Sequence, residues 1–168
     1  MSNYIRVINR AYWPCEEKIN EGIDVNTIGA NTITQEFRTK DNTLSLWAVE
    51  NTEDVVLAMI CKASKIDDMF TLKIEDELLK NSKLEVVNEG GNSLIKDINK
   101  FHYNIKNLNY KKLANVSKLI IEALKNEDNL EFFTKNDIIR ILKKAIKEGR
   151  LSKESLNKKI QKEIEKTA

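Results

Sequence analysis

The sequence predicts an α+β fold: a small mixed sheet of about four strands with packed helices, followed by a C-terminal helical hairpin. Three observations predict it. Short apolar stretches, several with two-residue alternation, are interleaved with helical spacings through residues 1–90. After Gly91 apolar residues recur three and four positions apart. Only five Gly and one Pro occur in 168 residues, which disfavours long irregular loops.

The elements follow in order. Residues 4–13 alternate, with Tyr4, Arg6 and Ile8 against Ile5 and Val7, as a strand does, and Pro14 ends the run. Residues 16–21 form a short helix stopped by Gly22. In residues 26–37 the four-residue spacing of Ile33 and Phe37 favours a helix, against Gly29 and three Thr. A polar turn at 38–43 leads into residues 44–49, apolar on both faces, the pattern of a strand covered on two sides. Thr52 is a suitable N-cap, with Glu53 and Asp54 in the first turn, for an apolar helix over 55–63. Phe70, Leu72 and Ile74 share one face of a strand, residues 75–79 make a helical turn, and residues 84–87 make another strand. Leu113, Val116, Ile120 and Leu124 mark an amphipathic helix. Thr134 and Asp137 have capping-box spacing before Ile138, Ile141, Leu142, Ala145 and Ile146, and Gly149 suits the stop. A last helix from Ser152 carries Leu156, Ile160 and Ile164 on a narrow stripe. The division expected is an α+β core over 1–125 and a basic hairpin extension over 126–168.

Hydrophobic residues at 41% and charged residues at 32% are those of a globular chain rather than a disordered one. The abundance of Asn, Lys and Ile reads as AT-rich, bacterial coding rather than as chemistry. Cys15 and Cys61 do not make a disulfide framework, the start has no signal-peptide stretch, and no run approaches the ~20 apolar residues of a membrane span. A cytoplasmic protein with reduced thiols and no membrane partner is the expectation. Net charge is +2, made of −5 over residues 1–100 and +7 over residues 101–168. Such polarity serves an acidic partner or draws the two parts of the chain together.

The candidate chemistry is sparse. His102, the one histidine, is a candidate acid/base, since imidazole titrates near neutrality. Gly90-Gly91-Asn92-Ser93 follows a strand but lacks the phosphate-loop and dinucleotide patterns, so it reads as a tight turn. No zinc spacing is present, and neither a metal nor a cofactor is expected. Asp67-Asp68 and Glu75-Asp76-Glu77 read as solvated edges, and both cysteines as packing residues.

Arg6 and Arg10 share strand parity, Tyr12 and Trp13 follow, and Arg38 precedes the next strand. Arginines beside aromatic faces suit a phosphate-bearing ring. With the run Phe37-Arg-Thr-Lys-Asp-Asn-Thr-Leu-Ser-Leu-Trp-Ala-Val-Glu50 and the helix after it, this order resembles the ADP-ribosyltransferase-like fold, in which a strand and a helix build the nicotinamide pocket. The resemblance implies an NAD-like or nucleotide ligand held by Arg6, Arg10 and Arg38, stacked on Tyr12 or Trp13, with His102 as acid/base. Residues 135–168 hold 11 Lys+Arg against 5 Asp+Glu and no aromatic residue, which offers Arg140, Lys143, Lys144, Lys147 and Arg150 to a partner or to nucleic acid. The leading expectation is a protein-interaction module of the inhibitor, immunity-protein or antitoxin kind, binding another protein or a second copy of itself, because the charge is polarised and no reactive centre is visible. The nucleotide enzyme and the nucleic-acid binder are the alternatives.

Overall fold

The structure is a computed structural model that describes residues 3–37 and 41–166. It is α+β. In chain order the elements are β1 (Asn3–Ile8), α1 (Glu16–Asn20), α2 (Ala30–Glu36), β2 (Leu44–Trp47), α3 (Thr52–Ile60), β3 (Met69–Glu75), α4 (Asp76–Asn81), β4 (Glu85–Asn88), β5 (His102–Lys106), α5 (Tyr110–Leu124), β6 (Leu130–Phe133), α6 (Lys135–Lys147) and α7 (Lys158–Lys166). The six strands form one sheet in the order β4-β5-β2-β1-β3-β6, and each of the five pairings is antiparallel.

The sheet is therefore larger than the expected four strands, and antiparallel rather than mixed. Two strands account for the difference. In β5 the alternation rests on two apolar positions, Tyr103 and Ile105, of which only Ile105 is fully buried, too short a pattern to stand out. β6 follows a 3₁₀ turn and sets Phe132 beside Phe133, so its four residues do not alternate, and only Phe133 is buried. The first strand is also shorter than its pattern suggested. It ends at Ile8, because the Asn9 side chain accepts from the Ala11 N–H at 3.3 Å and caps a 3₁₀ turn over Arg10–Tyr12. The parity of Arg6 with Arg10 is lost there. The cap of α3 is Asn51, one residue before the expected Thr52, and its Oδ1 accepts from Glu53 N–H at 3.0 Å. The last helix starts at Lys158, after a 3₁₀ turn over Lys153–Ser155.

Other expectations hold. Thr134 and Asp137 form the capping box of α6. Gly149 (φ +71°) closes that helix with bonds from Gly149 N–H to the Ile146 carbonyl and Arg150 N–H to the Ala145 carbonyl, a Schellman arrangement.

Each face of the sheet carries its own core. On one, Ile8, Leu44, Leu46, Leu72, Ile74 and Ile105 pack against α1, α2, α4 and α5. On the other, Ile5 and Trp47 pack with Val55–Ala58 of α3 and with α6 and α7. Ile138, Ile141 and Leu142 of α6 and Ile160 and Ile164 of α7 are buried in this second core, together with Leu156. The C-terminal helices thus dock on α3 and the sheet, and β6, beyond position 125, is a strand of that sheet.

The charge polarity meets across the same seam. Lys144 pairs with Glu53 at 3.5 Å, and Arg150 with Asp54 at 2.9 Å and Asp97 at 2.8 Å. Asp68 Oδ1 accepts the Lys135 backbone N–H at 2.8 Å. Exposed ion pairs of this kind are individually weak, but they fix orientation. Among the described residues no helix is long and apolar enough to cross a membrane.

Candidate functional site

Arg6 points from β1 to the side of Tyr4 and Ile8, into the core under α5. Its guanidinium donates to the Ser45 carbonyl at 3.1 Å, the Glu36 carbonyl at 3.2 Å and Glu36 Oε1 at 3.3 Å. Glu36 Oε2 accepts the Asn9 backbone N–H at 2.9 Å. The two side chains are 12% and 4% exposed, so this is an internal ion pair. Burial pulls the Arg6 pKa down, and the charge and hydrogen bond of Glu36 act against that pull. Arg10 donates to the carbonyls of Trp13 and Pro14, at 3.1 and 2.8 Å. Trp13 is buried, edge-on to Phe37 at 6.0 Å, while Tyr12 is exposed. Arg38 lies outside the described residues.

His102 stands on the opposite face. It is paired in register with Trp47, and Trp47 with Ile5, whose side chain belongs to the α3 core. Its ring packs on Trp47 with centroids 4.6 Å apart, and Nδ1 lies 3.0 Å from the Gly90 carbonyl. Burial lowers its pKa, so the ring is neutral at neutral pH. A carbonyl only accepts, so Nδ1 carries the proton and Nε2 the lone pair. Arg6 and His102 therefore do not converge on one pocket.

The glycine segment before His102 is a locked turn. Asn99 Oδ1 accepts from Ser93 N–H and Ser93 Oγ, both at 2.9 Å, and Asn99 Nδ2 returns a bond to the Ser93 carbonyl at 3.1 Å. Gly91 lies under this network. A Cβ there would sit 2.7 Å from Asn99 Oδ1, 3.1 Å from the Trp47 ring and 3.2 Å from His102 Cβ. Gly91→Ala should cost about 1–3 kcal/mol as an overpacking change. A urea midpoint equal to that of the parent chain would contradict the locked-turn description.

The described surface carries several clefts, of which two are the roomier. One, of about 820 Å³, lies at the start of α3 and is lined by Ala48, Asn51, Thr52, Lys73, Lys100 and Phe101, among others. The other, of about 760 Å³, is lined by Tyr12, Trp13, Cys15, Lys18 and Ile28 beside the α1–α2 connection. Sequence reasoning found Tyr12 and Trp13 but not the residues of the first cleft, whose types carry no signature. Cys15 is exposed, and burial pushes the Cys61 thiol up to about 11. Among the described residues no group of three or more His, Cys, Asp and Glu side chains is arranged to hold a metal ion.

Of the basic residues expected to meet a partner, Arg140 pairs with Asp137 at 3.1 Å, and Lys144 and Arg150 join the seam described above. Lys143 is half-buried and Lys147 exposed. Exposed aromatic side chains occur elsewhere. Phe132 of β6 is 48% exposed, and its ring lies 4.6 Å from that of Phe70 on β3. β6 is the last strand of the sheet on that side. No protein family, curated protein sequence or solved structure compared with the chain matches it.

Proposed function

We propose that the chain is a protein-interaction module of the inhibitor, immunity-protein or antitoxin kind. The observation that carries this reading is Phe132, half-exposed on a terminal strand and packed at a tilt on Phe70. An edge strand offers backbone groups to a second chain, and an exposed aromatic beside it supplies an anchor that buries apolar area on contact. The candidates for a nucleotide site favour this reading over the enzyme, since the Arg6 guanidinium already has internal acceptors and His102 faces the other core.

Phe132→Asp tests it, because the position is exposed and the substitution spares the core. The partner held by the parent chain is identified from native lysate, purified, and titrated against both proteins. Light scattering covers the case in which the partner is a second copy. The reading expects a loss of affinity of at least about tenfold in the variant, as for an aromatic anchor. Equal affinity, or a parent chain that stays monomeric and retains no partner, would overturn it.

A further inference from the structure

The basic C-terminal region divides into engaged and unengaged cations. Arg140, Lys144 and Arg150 are held by Asp137, Glu53, Asp54 and Asp97. On α7 the acids are the engaged groups: Glu163 pairs with Lys135 at 2.5 Å and Glu165 with Lys153 at 2.6 Å. Lys158, Lys159 and Lys162 are exposed and form no side-chain ion pair among the described residues, and Lys166 is exposed on the same helix. Their opposite face, Ile160 and Ile164, is fixed in the core. Lys158, Lys162 and Lys166 follow one another at four-residue steps, about 6 Å along the axis. The acids of α7 are paired with cations from other elements, although Glu165 also lies within the electrostatic reach of Lys162.

We propose that this lysine ridge is a nucleic-acid contact, in which Lys158, Lys159, Lys162 and Lys166 meet phosphates of the backbone without reading sequence. The choice of nucleic acid over an acidic protein follows from the composition of the face. Protein interfaces need a desolvated apolar or aromatic centre and are depleted in lysine. The exposed side of α7 offers no apolar side chain: its exposed residues are Lys158, Lys159, Lys162, Glu165 and Lys166. Phosphate contact requires only positioned cations and the release of condensed counterions. The ridge uses none of the residues on which the β6 reading stands, so either can fail without the other.

The test is fluorescence anisotropy of the full chain with a short, fluorescein-labelled DNA duplex of mixed sequence. Three to four phosphate contacts predict an affinity that falls about 40- to 150-fold between about 50 and about 200 mM salt. Lys158→Glu/Lys162→Glu should weaken binding about tenfold or more at the lower salt, with an unchanged circular dichroism spectrum. Lys111→Glu/Lys118→Glu makes the same change in net charge on α5 and should leave most of the affinity intact. Absence of duplex binding, an equal loss in the α5 control, or competition by poly-L-glutamate as effective as that by unlabelled duplex would each overturn the proposal. The last result would assign the ridge to an acidic protein instead.

Discussion

Glu36→Ala is expected to lose about 3–5 kcal/mol of stability, the range for removing one partner of a buried ion pair. The loss comes from what remains. Arg6 stays between β1, β2 and α2 with its side chain 12% exposed and the carboxylate that pairs with it gone. The Asn9 N–H loses its acceptor at the same time, which weakens the exit from β1. Arg6→Met/Glu36→Leu, which replaces the charges with apolar volume, should be much less damaging than Glu36→Ala. Urea titration followed by far-ultraviolet circular dichroism measures both. A loss under about 1 kcal/mol for Glu36→Ala would mean that water reaches the pair and that Arg6 is available to a ligand after all.

Ile160→Ala should cost about 2–5 kcal/mol, the range for removing a large aliphatic side chain from a packed site. Ile160 is 0% exposed, and it shares a core with Ile5, Trp47, the apolar face of α3 and that of α6. An appended hairpin with only a partial interface would give a far smaller value. The same urea titration decides between the two.

How much of this was legible in the sequence depended on the range of each signal. Elements with several turns or a clear period stood out: α5, α6 with its capping box, and β3 with Phe70, Leu72 and Ile74 on one face. Two strands did not: β6 sets two Phe side by side instead of alternating, and β5 alternates over only two apolar positions, one of them fully buried. The division of charge was visible, but its use was not. Its two readings, internal attraction and a partner surface, differ only in which acids stand opposite which bases. Glu53, Asp54 and Asp97 meet Lys144 and Arg150 through the docking of α3 against α6, a tertiary fact. Glu36 is the clearest omission. It sits in a short helix among Thr and Gln, and nothing local distinguishes a carboxylate 4% exposed and bound to a strand arginine from one in water. Arg6 read as an available cation for the same reason, because a long-range partner leaves no trace in the spacing of either residue.

The two tryptophans give the most direct test of a single sheet covered on both faces, with the C-terminal helices integral to it. Trp13 lies in the core under α5 and Trp47 in the core under α3. With Trp13→Phe and Trp47→Phe as backgrounds, fluorescence during urea unfolding reports each core alone. The fold described here predicts coincident transitions in both backgrounds, with Ile160→Ala lowering the two by the same amount. A Trp47 transition that moves to lower urea while the Trp13 transition stays in place would show that the α6–α7 layer unfolds by itself, and would contradict it.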